Sequence, residues 1–183
     1  MQSSITIKNI VSDIVVYFLF SGFVFAFLFT IARYASFDTH ILFLARKQDY
    51  VGIAVWRIAF YIHVFTAVIA LMAGFTQFSN VILKEHKSLH RIVGKIYAYD
   101  ILFINFPAGI IMGIYANGGF SSKTAFLVLD ILWFIFTLKA VLAIKNRQIF
   151  LHKNYMFRSY TLTFSAVTLR LWKILLSHTT SLP

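Results

Sequence analysis

The sequence predicts an all-α integral membrane protein with about five transmembrane helices, of which spans two to five form a four-helix core. Hydrophobic residues make up 60% of the 183 residues and charged residues 13%, whereas soluble domains contain roughly half and a quarter, respectively. A soluble fold of this size could not hide so much apolar surface from water. The long apolar runs lack the alternation of barrel strands and therefore predict helices.

The predicted spans follow one another in a single polytopic membrane domain, 1–183. They cover about residues 14–34, 53–78, 92–115, 124–145 and 155–176, each close to the roughly 20 residues that a helix needs to cross the hydrocarbon core. The first span is longer than the apolar stretch of a signal peptide and lacks its small-residue cleavage site, so we expect it to be retained. Pro107 is expected to kink the third span, and residues 117–122 (NGGFSS) predict a tight turn.

The formal charge of +11 is carried largely by short segments between the apolar runs. A nucleic-acid binder would display its basic residues on a polar face of modest hydrophobicity, so nucleic acid is excluded as a partner. Seven basic residues lie on one side of the predicted spans: Lys8, Lys84, Lys87, Arg91, Lys145, Arg147 and Lys153. Four lie on the other: Arg33, Arg46, Lys47 and Lys123. By the positive-inside rule this difference predicts a cytoplasmic N terminus.

Several stretches carry a family resemblance. They are residues 89–97 (LHRIVGKIY), 152–160 (HKNYMFRSY) and 166–172 (AVTLRLW), together with His63 and residues 74–78 (GFTQF). Over roughly residues 55–175 the chain resembles the bacterial multi-pass membrane-protein family catalogued as domain of unknown function 2306. The resemblance implies a multi-span protein of the bacterial inner (cytoplasmic) membrane, with no established activity. Members usually continue into a further hydrophobic span, so we expect either a short protein or a C-terminal span missing from this chain.

His90 and His152 are candidate haem ligands. Both are predicted on the cytoplasmic side, and two neutral imidazoles from separate helices are the axial ligands of a low-spin b-type haem. Residues 90–94 (HRIVG) are also weakly similar to the di-haem membrane cytochromes b, and Gly94 is expected to leave clearance for a flat macrocycle. The alternative is that both rings are ordinary interfacial side chains beside Arg91 and Lys153.

His63 lies about ten residues inside the second span. At 100° per residue its helix face also carries Ala67, Ala70 and Gly74, a stripe of small residues that lets helices approach closely. This stripe favours a packed, hydrogen-bonded histidine. The alternative is a haem or quinone ligand, for which the same stripe would leave room.

Five further ionisable side chains are predicted inside the membrane: Asp100, Asp130, Lys139, Arg158 and Arg170. Such residues mark functional sites because each is costly to bury in hydrocarbon. Matching depths predict two ion pairs, Asp130 with Arg170 and Asp100 with Lys139. Both pairs could serve packing alone, or they could belong to a polar path that ends at the inner-face histidines.

The fifth span shows one polar stripe. His152, Ser159, Thr163 and Arg170 fall within about 20° of one line, because eighteen residues make five helical turns. This alignment predicts that the polar side chains of the fifth span face the interior of the bundle.

Three functional hypotheses remain open from the sequence. The first is an electron-transfer protein that uses a b-type haem or a quinone, and the second is a non-enzymatic accessory subunit of a larger membrane complex. The third is a small proton-coupled transporter, indicated by Asp100, Asp130 and Lys139. The expected partners are the lipid bilayer, quinone and other membrane subunits, and no catalytic residue is assigned. We predict no metal other than haem iron, because neither cysteine nor a set of three or four ligands at zinc-binding spacing is present.

Overall fold

The structure is a computed structural model that describes residues 7–179. Within that range the side chains at 7–17, 19–20, 23, 80–81, 171, 173–175 and 177–179 lie outside the description. The chain divides into two units, residues 1–37 and residues 38–183. In the first unit, helix α1 spans Ile7–Tyr34 and covers the whole of the first predicted span.

The second unit consists of helices joined by short connections. After a 3₁₀ turn at Leu44–Arg46 come α2 (Gln48–Val51), α3 (Ala54–Thr76), α4 (Asn80–Glu85), α5 (Lys87–Tyr99), a π-helical turn (Asp100–Asn105), α6 (Phe106–Ile114), α7 (Gly119–Lys145) and α8 (Ile149–Thr179). Residues 7–179 contain no β-strand. This architecture confirms the predicted all-α class.

Among the described residues, three stretches are long and apolar enough to cross a membrane: Ala54–Thr76, Lys87–Ile114 and Gly119–Lys145. They correspond to the second, third and fourth predicted spans. The other two predictions fall on α1 and α8, which are helical over 28 and 31 residues. The crossing of the membrane by α1 and α8 stays a prediction.

The third span departs from α-helical geometry in its middle. Helices α5 and α6 are joined through the π turn Asp100–Asn105, which ends two residues before Pro107. Proline has no N–H and its ring clashes with the preceding turn, and a wider turn accommodates both effects. The disturbance predicted at Pro107 is therefore spread over the residues before it.

Helices α3, α5, α7 and α8 enclose the core of the second unit. Its buried centre consists of Ala70, Ala73, Tyr97, Ile101, Trp133, Ala140 and Met156. The alanines let the helix backbones approach closely, which is how helices gain packing energy in a membrane. Together with α6, these helices are the predicted spans two to five, so the predicted four-helix core is confirmed.

The turn between α6 and α7 is tied to the segment before α3 by Lys47. This side chain, predicted as a loop charge, is 3% exposed. Its Nζ donates hydrogen bonds to the Tyr115 carbonyl and, at 2.5 Å, to Asn117 Oδ1. Burial lowers the pKa of the Lys47 ammonium, and the nearby charge of Lys123 acts in the same direction.

Candidate functional site

A hydrogen-bonded group of side chains connects α5, α7 and α8 in the core. We call it the hydroxyl network and define it as Tyr97, Trp133, Thr137, Ser159 and Thr163. Tyr97 Oη hydrogen-bonds with Ser159 Oγ at 2.8 Å and with Thr163 Oγ1 at 2.9 Å. Ser159 Oγ also bonds with Thr137 Oγ1 at 2.7 Å, and Trp133 Nε1 donates to Thr163 Oγ1 at 3.0 Å. Polar groups that satisfy one another in this way hold membrane helices together.

A second polar group begins one turn after Tyr97 on the same span. We call it the polar cluster and define it as His63, Thr66, Asp100 and Asn105. Asp100 is 4% exposed and Asn105 is fully buried. The Asn105 amide lies close to the side chains of both His63 and Asp100, and the Thr66 hydroxyl lies close to Asp100, but the geometry of these contacts is not that of hydrogen bonds. The cluster therefore brings α3 and the π turn together through polar side chains.

The polar cluster is not satisfied in the way that the hydroxyl network is. Five buried side-chain atoms of the cluster have no hydrogen-bond partner among the described residues. They are both carboxyl oxygens of Asp100, both amide atoms of Asn105 and the Nδ1 of His63. Thr66 Oγ1 donates to the Ile62 carbonyl of its own helix. Buried polar atoms are nearly always hydrogen-bonded in proteins, and the exceptions point to a functional site or a bound molecule.

Asp100 also lies at a costly depth. Asp100 lies near the middle of the apolar stretch Lys87–Ile114 and eight residues, or roughly 12 Å, inside the predicted span 92–115. An ionisable group at this depth lies within the hydrocarbon, where burial of charge is expensive. Its depth makes Asp100 the strongest functional candidate in the described part of the chain.

Polar contacts continue from the cluster in two directions. Asp100 interacts electrostatically with Tyr97, which belongs to the hydroxyl network. On the other side, the charge of Arg170 acts on His63. The two groups thus form one polar interior that reaches α3, α5, α7 and α8.

Asp130 packs against Gly109, for which no role was predicted from the sequence. A Cβ atom added at Gly109 would lie 2.5 Å from Asp130 Oδ1, and one added at Gly113 would lie 2.9 Å from Leu127 Cδ2. The spacing of these glycines is the small-residue motif that permits close helix approach. In the sequence, this glycine spacing indicates that α6 packs closely against another helix, and in the structure that helix is α7, with Asp130 at the contact. Asp130 Oδ2 has no hydrogen-bond partner within residues 7–179.

The predicted ion pairs have different outcomes. The expected pairing of Asp100 with Lys139 is wrong in this structure, because Lys139 Nζ lies 5.6 Å above the Tyr155 ring and no described residue hydrogen-bonds to the Asp100 oxygens. Helix rotation directs the two side chains differently, although their depths are similar. Arg170 Nη1 donates to the Ala166 carbonyl at 3.2 Å, and its ion pair with Asp130 stays a prediction.

Arg158 is exposed on α8 and lies outside the polar interior. Its guanidinium carbon is 5.7 Å from the Phe136 ring centre and 5.8 Å from that of Tyr155. Lys139 and Arg158 therefore both pack against Tyr155, where a ring face attracts a cation. These contacts place the two basic residues on the surface of the bundle.

His90 and His152 interact electrostatically with each other. His152 Nδ1 donates to the Ala140 carbonyl at 2.9 Å, which leaves its other ring nitrogen able to accept or to ligate. His90 Nδ1 has no hydrogen-bond partner in the described structure. The clearance expected at Gly94 is absent, because a Cβ atom there would meet Gln77 Oε1 at 2.9 Å. The described residues contain no group of three or more His, Asp or Glu arranged for a metal ion.

Apolar helices around a buried polar interior define a polytopic α-helical membrane protein. The chain belongs to the family described as "Predicted membrane protein (DUF2306)", which matches residues 60–183. This range contains all the candidate site residues, and the resemblance stated from the sequence is confirmed. No curated protein and no solved structure matches the chain. The similarity to the di-haem cytochromes b stays a prediction.

Proposed function

We propose that this protein moves protons across the membrane through its polar interior, as a small proton-coupled transporter in which Asp100 binds and releases the proton. The observation that carries the proposal is the Asp100 carboxyl, 4% exposed at the middle of a span. Neither of its oxygens is hydrogen-bonded to a described residue. Ionisable groups in this situation are typical of proton relays in pumps and transporters.

The neighbours of Asp100 can pass a proton on either side. Towards the N-terminal end of α5 lies the Tyr97 hydroxyl, which is hydrogen-bonded to Ser159 and Thr163. A hydroxyl group both donates and accepts, so a proton can move along such a chain as the hydroxyls reorient. Beyond Asp100 lies His63, whose imidazole can exchange a proton at either ring nitrogen. The Asn105 amide lies beside both groups and can orient them but does not itself carry a proton.

The backbone around Asp100 supports the same proposal. Asp100 is the first residue of the π turn Asp100–Asn105. Isolated π turns within α-helices occur frequently at functional sites, and this one holds Asp100 and Asn105 on the inner side of the third span. Both residues are buried.

Proton flux into liposomes tests the proposal. The purified chain is reconstituted with an entrapped pH-sensitive dye, and a potassium diffusion potential is imposed with valinomycin. We expect an acidification rate above that of protein-free liposomes, and Asp100→Asn is expected to reduce this rate by about tenfold or more. The substitution is nearly isosteric but has no exchangeable carboxyl proton.

Asp49→Asn is the matched control, because Asp49 is exposed on the short helix α2. It should leave the rate unchanged. Equal rates for the wild type and Asp100→Asn would overturn the proposal. A rate equal to that of protein-free liposomes would instead favour an accessory subunit of a larger membrane complex.

A second candidate is electron transfer through a b-type haem at His90 and His152. It is favoured by the electrostatic contact between the two rings and by the Ala140 carbonyl that fixes the His152 ring through Nδ1, a usual arrangement for a ligating histidine. The fit is incomplete, since the Gln77 side chain fills the space beside Gly94. A Soret band in the purified protein that disappears in His152→Ala would support it, and a featureless visible spectrum would exclude it.

We further propose that the protein lies in the bacterial cytoplasmic membrane with its N terminus in the cytoplasm. The support is the excess of basic residues around 84–91 and 145–153. The chain has no native cysteine, so single cysteines can be labelled in intact cells with an impermeant thiol reagent. Ser121→Cys should react and Ser88→Cys should not. The reverse result would invert the topology.

A further inference from the structure

The exposed face of α5 carries a line of basic side chains. Lys87, Arg91 and Lys95 follow one another at intervals of four residues, and all three are exposed. Successive members are turned by only about 40° around the helix and lie about 6 Å apart along its axis. We call these three residues the basic ladder. Tyr97, on the core side of the same helix, is fully buried, so the ladder lies on the outside of the bundle.

The charges of the basic ladder are not neutralised within the described part of the chain. None of the three side chains forms an ion pair or a hydrogen bond with a described residue. Glu85 is the one acidic residue among positions 80–99, and it lies on the preceding helix α4. Like charges four residues apart destabilise a helix. An anion that lies between them would remove this repulsion.

The basic ladder crosses the predicted boundary of the third span, 92–115. Lys87 and Arg91 precede this boundary, and Lys95 lies three residues inside it. Long basic side chains keep their stems against apolar surface and extend their charged ends towards the membrane surface. The three charges can therefore meet at the depth of the lipid phosphates.

A stripe of exposed apolar side chains runs beside the basic ladder on α5. Leu89, Ile92 and Ile96 are 47%, 55% and 45% exposed. A ligand that covers this face has to present an anion to the ladder and hydrocarbon to the stripe. A soluble anion has no hydrocarbon, and a water-soluble acidic protein could not reach Lys95 within the span. The combination fits a phospholipid.

We infer that the basic ladder binds an anionic phospholipid, with the phosphate at Arg91 between the two lysines and the acyl chains along the apolar stripe. The guanidinium of Arg91 can donate two parallel hydrogen bonds to phosphate oxygens. Each lysine adds attraction to the negative head group. The inference goes beyond the proposed proton movement and does not depend on it.

A second group of basic residues on the same predicted side of the membrane supplies a matched control. Lys145, Arg147 and Lys153 are also exposed. They are divided between the end of α7, the connection after it and the start of α8, so they do not form a line on one helix. The control variant combines Lys145→Gln, Arg147→Gln and Lys153→Gln. It removes the same charge as the ladder variant, which combines Lys87→Gln, Arg91→Gln and Lys95→Gln.

Native mass spectrometry of lipid binding tests the inference. The full chain in non-ionic detergent is titrated with dioleoyl phosphatidylglycerol, which is anionic, or with dioleoyl phosphatidylcholine, which has the same acyl chains and no net charge. We expect the affinity for phosphatidylglycerol to fall about tenfold or more in the ladder variant and by less than about twofold in the control variant. The affinity for phosphatidylcholine should stay within about twofold in both.

The result that would overturn the inference is an equal loss of phosphatidylglycerol affinity in the two variants, because net charge alone would then explain binding. Displacement of the bound lipid by an equimolar amount of glycerol 3-phosphate would also overturn it, since a soluble anion would then suffice. If the ladder variant does not fold, the single substitutions Arg91→Gln and Arg147→Gln decide. Equal affinities of these two variants for phosphatidylglycerol would overturn the inference.

Discussion

The hydroxyl network and the polar cluster lie one helical turn apart but differ in how their polar atoms are used. In the network, the hydroxyls of Tyr97, Ser159 and Thr163 are joined by hydrogen bonds of 2.8 and 2.9 Å. In the cluster, the Asp100 carboxyl and the Asn105 amide have no hydrogen-bond partner among the residues described. The network joins α5, α7 and α8, whereas the cluster joins α3 to the π turn.

This difference separates polar residues that hold the bundle together from those available for chemistry. A satisfied hydroxyl adds to helix association in the membrane. A buried carboxyl without a hydrogen-bond partner costs free energy, so its presence is better explained by function than by packing. Substitutions in the network should therefore act mainly on stability, and substitutions in the cluster mainly on activity.

The largest expected effect on stability is that of Tyr97→Ala. Tyr97 is fully buried, and the substitution leaves a cavity and removes the hydroxyl shared by Ser159 and Thr163. We expect the free energy of unfolding in mixed detergent to fall by about 3–5 kcal/mol. Tyr99→Ala, two residues away and 63% exposed, is the control and should change it little. Equal losses of unfolding free energy in Tyr97→Ala and Tyr99→Ala would contradict the stabilising role of the hydroxyl network.

Gly109→Ala should have the next largest effect. The new Cβ would meet Asp130 Oδ1 at 2.5 Å, and either the carboxyl or the helix must move. We expect a loss of about 1–3 kcal/mol in the same measurement. Gly22→Ala, where no atom lies within 4 Å of the added Cβ, should cost nothing. If Asp130→Ala does not reduce the loss caused by Gly109→Ala, the contact between these residues is not its source.

Tyr97→Phe sharpens the comparison because it keeps the ring and removes the hydroxyl alone. Its two hydrogen bonds, to Ser159 and Thr163, are lost. We expect a loss of about 1 kcal/mol, in line with hydrogen bonds between membrane helices. Thr161→Val on the exposed face of α8 is the control. If Tyr97→Phe and the wild type have the same free energy of unfolding, packing of the ring and not its hydrogen bonds stabilises this part of the core.

Asp100→Asn should have the smallest effect on stability. It removes an ionisable carboxyl whose oxygens accept no hydrogen bond from the described residues, and the amide is similar in shape. We expect the free energy of unfolding to change by less than about 0.5 kcal/mol or to increase. A loss as large as that of Tyr97→Ala would place Asp100 among the packing residues, whatever its effect on proton flux.

The sequence predicted the features that depend on local composition and helical period. Hydropathy over some 20 residues located the spans, because a helix that crosses lipid must be apolar along its length. The polar stripe of α8 was predicted from the helical period. Ser159 and Thr163 do face the core, where they are buried, whereas Arg170 on the same stripe is exposed. The family was indicated by short motifs, which the match over residues 60–183 confirms.

The partners of the buried charges were decided by the tertiary structure. The depth of a residue within its span can be predicted from the sequence. An ion pair also requires that the two helices be oriented so that the two side chains point towards each other. Asp100 and Lys139 share a depth, yet Lys139 faces Tyr155 on the surface, whereas Asp100 faces Asn105 and Thr66 in the interior. Helix rotation is set by packing, and here the small residues Gly109 and Gly113 bring α6 against α7. Such packing depends on contacts between distant parts of the chain, which the local pattern of one span does not contain.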